Sequence, residues 1–191
     1  MSVAEFIAAL QREASSGASR GTPPVDRWDP PFCGDSFIEI LADGTWRHEG
    51  VRMTRESLVR LFASILRKDA DGITYLVTPV EKVRVTVADA PFVAVRADRD
   101  GAGRDQTIAF TTNVGDVVAA GPSHPIRVAV RDGAPRPYVL VRGRLEARIL
   151  RAPFYELVDW AVEAETAEGP RLGVWSGGEF FPLGAVAASV P

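Results

Sequence analysis

Residues 37–78, FIEILADGTWRHEGVRMTRESLVRLFASILRKDADGITYLVT, decide the reading of the fold. FIEILADGTWRHEG has the pattern of two short strands about a tight turn at Asp43-Gly44, a dipeptide that tolerates the backbone a short hairpin demands. MTRESLVRLFASILRK then reads as an amphipathic helix capped by Thr54. Leu58, Val59, Leu61, Phe62, Ile65 and Leu66 form its apolar stripe, and Arg67 and Lys68 suit the negative end of its dipole. Asp71-Gly72 ends the helix, and DGITYLVT returns as a strand. Moving 99 positions along, from Leu58 to Leu157, the same succession reappears. PYVLVRGRLEARIL is the hairpin, RAPFYELVDWAVEAE the helix with Pro153 at its first position, and EGPRLGVWSG the returning strand. The expectation is an α+β fold: duplicated hairpin-helix-strand (ββαβ) units on curled antiparallel sheets.

Between the two copies lie the strand-like runs YLVTPVEKVRVTV, FVAVRAD, TIAFTT, DVVAA and IRVAV, separated by Asp, Gly, Asn and Pro turns. This spacing predicts an N-terminal α+β domain over 21–90 and a C-terminal antiparallel β domain with one helix over 91–191. Ahead of both, residues 1–20 read as a helix and linker, with Ser2 and Glu5 as a capping box and Val3, Phe6, Ile7 and Leu10 at helical spacing. PPVDRWDPPFCGD is expected to lie extended across the body, because its prolines fix φ and cannot donate to a ladder. Trp28 and Phe32 are its natural anchors.

Composition narrows the function classes. The chain has 191 residues, of which 46% are apolar and 25% charged, the balance of an ordinary globular protein. No apolar run approaches the ~18 residues of a membrane-spanning helix, and the N-terminus lacks the basic region of a signal peptide. No membrane insertion is expected. The single cysteine, Cys33, excludes an internal disulfide and fits a reducing, cytoplasmic setting. A net charge of −3 argues against nucleic acid as partner. One cysteine and two separated histidines, His48 and His124, give no metal-ligand spacing.

Two groups of residues carry chemistry. Cys33, with His48 as base and Asp35 as orienter, is a redox-sensitive or nucleophilic candidate, though nothing around it matches a nucleophile signature. The second group gathers near the junction of the two domains. Lys82 and Arg84 alternate on one side of a strand with Thr78; Thr112 and Asn113 sit in a polar turn; Arg142, Arg144 and Arg148 are read onto one strand face. Pockets favour domain junctions. A small anionic ligand there would meet Lys82, Arg84, Arg142 and Arg144, accept hydrogen bonds from Thr78, Thr112 and Asn113, contact His48, and stack on Trp28 or Trp46. No catalytic residue, cofactor or metal is assigned.

PPVDRWDPPFCGD, DGTWRHEG, YLVTPVEKVRV, TNVGDVVAAGPSHPIR and PYVLVRGRLEARILR together resemble the bacterial family known as domain of unknown function 1285, over about residues 22 to 182. The resemblance implies a core built by domain duplication and a C-terminal half superficially like pleckstrin-homology folds. It also implies a small-molecule site, for a nucleotide-like ligand, at the interface between the domains, and a role in signalling. It brings no catalytic residues. The expected function is thus a non-enzymatic small-molecule-binding module in signal transduction. The alternative is a protein-interaction scaffold or homodimer without a small ligand, working through the pleckstrin-like half, the N-terminal helix, or the basic face of the first helix (Arg55, Arg60, Arg67, Lys68) and the acidic face of the second (Glu156, Asp159, Glu163, Glu165). A Cys33/His48 enzyme is the third reading.

Overall fold

The computed structural model describes residues 23–131 and 133–185. The expected helix over residues 2–10 and the linker after it lie outside these. The chain divides into two compact units, Met1–Ala88 and Asp89–Pro191.

In the first unit, a single turn of 3₁₀ helix, Val25–Arg27, precedes β1 (Phe32–Ile40), β2 (Trp46–His48) and β3 (Val51–Arg52). Helix α1 (Glu56–Ser64) follows, then β4 (Leu66–Lys68), β5 (Thr74–Val77) and β6 (Lys82–Val87). The six strands form one sheet in the order β3-β2-β1-β6-β5-β4. Each half is an antiparallel meander, and the halves join through a parallel β1–β6 pair. Ile38, Ile40, Trp46, Phe62, Ile65, Leu66, Leu76 and Val77 are almost wholly buried and make the core.

The helix is shorter than its apolar stripe predicts. It ends at Ser64, and Leu66–Lys68 forms an edge strand paired with β5. Arg67 and Lys68 therefore sit on a sheet, and Asp71-Gly72 is a hairpin turn. Thr54 does not cap the helix. Arg55 occupies the cap position with no side-chain bond, its carbonyl accepting from the Leu58 and Val59 amides. The Asp43-Gly44 turn stands as read, with Asp43 Oδ1 accepting the Thr45 N–H at 2.9 Å.

The second unit runs β7 (Phe92–Asp100), β8 (Thr107–Thr112), β9 (Val117–Ala119), β10 (Ile126–Arg131), β11 (Ala134–Arg142) and β12 (Leu145–Ile149). Helix α2 (Arg151–Asp159) follows, then β13 (Val162–Thr166), β14 (Gly169–Ser176) and β15 (Glu179–Ala185). Strands β7 to β12 form a sheet in the order β10-β11-β12-β7-β8-β9, with β7 and β12 parallel, and β13-β14-β15 form a small sheet of their own. Pro153 is the third helical residue of α2, not the first.

The duplication is real, but its repeating unit is the six-stranded sheet. Read from its other end, the second sheet is β9-β8-β7-β12-β11-β10, the same path as the first, with the first and sixth strands parallel in both. Corresponding strands begin 60 positions apart at Phe32 and Phe92, at Leu66 and Ile126, and at Thr74 and Ala134. The 99-residue succession of hairpin, helix and strand is a local likeness. In the first unit its returning strand, β5, joins the main sheet, while in the second the matching strand, β14, lies in the separate small sheet. The two six-stranded sheets are also mixed, each holding one parallel pair, where purely antiparallel ones were expected; the small sheet is antiparallel throughout.

Candidate functional site

The distinctive feature of the first unit is an irregular β1. Between the pairs Phe32↔Lys82 and Ile40↔Val87, β1 advances eight residues while β6 advances five, with register shifts on either side of Asp35. The surplus residues bulge out of the ladder, a device that re-aims side chains near sites. Gly34 makes this possible with φ 103°, a conformation closed to most side chains. Ser36 pins the bulge, its Oγ donating to the Arg84 carbonyl at 2.6 Å and accepting the Ile38 N–H at 3.2 Å. Phe37, 66% exposed, is held at φ 55°. Glu49, in the β2–β3 turn, is held at φ 50°. For a bulky non-glycine residue this is an outlier, and such residues cluster where function over-determines the backbone.

The bulge opens a groove of about 390 Å³ lined by Asp35, Phe37, Glu39, Glu49, Gly50, Arg84 and Thr86. Arg84 and Asp35 form a two-pronged ion pair across its floor, at 2.5 and 2.8 Å. That bond holds the Asp35 carboxyl below the usual carboxylate range and raises Arg84 further. Glu39 and Glu49 make no ion pair among the described residues. Hydrogen-bond acceptors thus predominate, beside one exposed aromatic ring and one guanidinium whose charge is already balanced.

Of the residues singled out in the sequence, Arg84 and Asp35 line this groove, and His48, half-buried on β2 opposite Val51, precedes its Glu49-Gly50 wall. Trp46 is 2% exposed and belongs to the core, so its ring offers no stacking surface. Trp28 is half-buried in the extended N-terminal segment, which Arg67 ties to the sheet by donating to the carbonyls of Val25 and Trp28 at 2.8 and 2.6 Å. Lys82 is committed to Asp69 at 3.0 Å and lies over the Tyr75 ring at 4.5 Å. Thr78 is buried, its Oγ1 capping the turn into β6 by accepting the Glu81 N–H.

In the second unit Thr112 does the same for its own turn, accepting the Asp116 N–H, and Asn113 Oδ1 accepts the Val93 N–H. Arg142 pairs with Asp116 at 2.7 Å over the Phe92 ring. Arg144 is exposed in the β11–β12 turn, off the strand face to which it was assigned. Arg142, on β11, and Arg148, on β12, likewise do not share one strand. Cys33 is exposed, its thiol 3.4 Å from the Pro31 carbonyl, and no hydrogen bond joins it to His48 among the described residues. Among those residues no group of His, Cys, Asp and Glu is placed to hold a metal ion. No helix there is long and apolar enough to cross a membrane.

Sequence reasoning missed Phe37, Glu39, Glu49 and Thr86. Their pattern is that of an ordinary strand and turn, and only Gly34 and Ser36, small residues inside an apolar run, hint at a bulge.

Comparison with known proteins follows the same division of the chain. Residues 23–90 match the family described as "Domain of unknown function (DUF1285), N-terminal domain". Residues 91–183 match "Protein of unknown function (DUF1285), C-terminal domain". Among solved structures, a DUF1285 family protein from Silicibacter pomeroyi DSS-3 is similar at 47% identity and a TM-score of 0.83, over 93% of this chain and 95% of that one. Another from Shewanella baltica OS155 is similar at 29% identity and a TM-score of 0.52, over 65% of this chain and 91% of that one. Curated proteins gave no match. With both halves of the chain matched in order and a duplicated sheet to carry them, the chain belongs to the DUF1285 family.

Proposed function

We propose that this protein is a non-enzymatic, cytoplasmic module that binds a small nucleotide-like molecule and passes its presence on in signal transduction. The observation that carries the reading is the strained, exposed Phe37 at the lip of a groove walled by hydrogen-bonding groups. A phenyl ring left in water at a costly backbone conformation has its simplest account in a ring that stacks on it. Glu39 and Glu49 accept bonds from the exocyclic amino group of such a ring. Arg84 offers a planar fork to one acidic group, exchanged for Asp35. The signalling role and a pleckstrin-like C-terminal half rest on the family resemblance alone.

Binding to the native state raises thermal stability by mass action. A panel of purine and pyrimidine nucleosides and nucleotides, read by thermal shift, is expected to contain at least one saturable stabiliser whose effect disappears in Phe37→Ala. A panel without any shift, or a shift retained in that variant, sinks the proposal.

A further inference from the structure

The second unit carries an arrangement that the groove does not explain. On three adjacent strands, Arg127 of β10 stands opposite Tyr138 of β11, which stands opposite Arg148 of β12. Alternation adds Arg131 to the Arg127 side of β10 and Glu146 to the Arg148 side of β12, so all share one sheet face. Their contacts agree. Arg127 lies over the Tyr138 ring at 4.3 Å and makes a two-pronged bond to Glu146 at 2.5 and 2.6 Å. That pair is self-sufficient.

Among the described residues, Arg131 and Arg148 are not matched in this way. Both turn to one carboxylate, Asp89, whose side chain is only 3% exposed: Arg131 Nη1 is 3.3 Å from Oδ1, and Arg148 Nη1 is 3.6 Å from Oδ2. Tyr138 donates its hydroxyl to Oδ1 at 2.7 Å, so the first oxygen is shared and the second accepts no hydrogen bond from the described residues. One buried negative charge therefore gathers two guanidiniums and can neutralise one. Their side chains are 55% and 32% exposed, leaving N–H donors of both forks open to solvent.

We propose that Arg131 and Arg148 form a binding site for the phosphoryl group of a small soluble molecule. Two forks held side by side offer more donors than a carboxylate can accept, whereas a phosphate presents three oxygens and close to two negative charges. Its charge offsets the surplus cation that Asp89 leaves. An extended polyanion fits less well, because Glu146 stands on the same face and the chain as a whole carries −3. The site stands on the second unit alone and is independent of the proposed groove.

The test is calorimetric titration of the intact chain with inorganic pyrophosphate at low and at physiological ionic strength. Saturable one-site binding is expected, weakened at least tenfold by Arg131→Ala and by Arg148→Lys, which keeps the charge and loses the fork. Arg144→Ala removes an exposed arginine elsewhere in the unit, and Phe37→Ala alters the groove; both are expected to bind as the parent does. Absence of saturable heat overturns the proposal. So does an equal loss in Arg144→Ala, which marks diffuse surface charge, or full binding in the folded Arg131→Ala/Arg148→Lys double variant. Loss in Phe37→Ala with retention in the arginine variants assigns the anion to the groove instead, and overturns it too.

Discussion

The Glu49 amide donates to the Phe37 carbonyl at 3.0 Å, so the two non-glycine residues with left-handed backbone in this protein's described part hold one another in place. Each such residue costs on the order of 1–3 kcal/mol. Phe37 returns little of this through burial, since most of its ring is in water. Asparagine tolerates positive φ better than phenylalanine does. Phe37→Asn is therefore expected to stabilise the fold by about 0.5–1 kcal/mol, seen as a higher urea midpoint at unchanged slope. A loss of 1 kcal/mol or more would show that the ring supports the fold, and would remove the argument that it is kept for binding.

Ser176 makes the second prediction. It is fully buried, accepts the Ile108 N–H at 2.8 Å and donates to the Ala120 carbonyl at 2.7 Å. One hydroxyl thus satisfies two backbone groups of the main sheet from a strand of the small one. Ser176→Ala leaves both without that partner, at roughly 1–3 kcal/mol each where no water reaches them. The expected loss is about 2–4 kcal/mol by chemical denaturation, with Ser176→Thr closer to the parent if its extra methyl fits. A loss under 0.5 kcal/mol would mean that the groups find other partners.

Gly173 tests packing rather than hydrogen bonding. A Cβ added there would stand 2.4 Å from the Phe181 carbonyl oxygen and 2.6 Å from the Phe180 ring. The oxygen belongs to the paired strand β15 and cannot retreat without breaking the ladder, and Phe180 is packed against Trp175 at 5.3 Å between ring centroids. Gly173→Ala is expected to cost about 1–3 kcal/mol and to alter tryptophan fluorescence. Gly184→Ala, with open space about its Cβ position, is the control and is expected to change little.

These positions show what a sequence reveals. Hairpins with a chemical signature were legible: Asp43-Gly44 fixes a turn by its own side-chain bond, and the alternating runs of β7 to β10 read directly as strands. What was lost depends on partners far along the chain. Leu66–Lys68 fits a helix by spacing, and becomes a strand because β5 offers it a ladder six to ten residues on. The repeat was placed at 99 residues because helices make a conspicuous local pattern. The equivalence that matters lies in strand order, which no window of sequence contains. The groove was invisible for a related reason. Phe37 sits in an apolar run that reads as regular strand, and its displacement follows from the register of a parallel pairing with β6. The cations expected to grip a ligand were mostly spent on carboxylates in the fold: Lys82 on Asp69 and Arg142 on Asp116.

Asp69 joins that network to pH. Burial pushes its carboxyl up, but hydrogen bonds from Arg67 at 2.6 Å and Lys82 at 3.0 Å outweigh this and hold it below the ordinary value. Arg67 in turn grips the N-terminal segment through the Val25 and Trp28 carbonyls, so the ion pair orders more than itself. A carboxyl whose pKa is depressed on folding stabilises fully above its unfolded value of about 3.9, and the contribution fades as pH falls through the lower, folded one. Below that both states carry the proton and nothing remains. Asp69→Asn imitates the protonated form at every pH. Its deficit against the parent is therefore expected to be about 2 kcal/mol at pH 7, to hold down to about pH 5, and to shrink toward zero as the pH drops through 4 and below. Asp35 and Asp43, also depressed, lose their share in both proteins and cancel from the difference, whereas Asp71, which the Asp69 charge pushes up, is lowered further in the variant. Urea midpoints at half-unit pH intervals measure it. A gap constant down to pH 2 would assign the loss to shape rather than charge, and the Arg67–Asp69–Lys82 cluster would then be a packing feature with no electrostatic role.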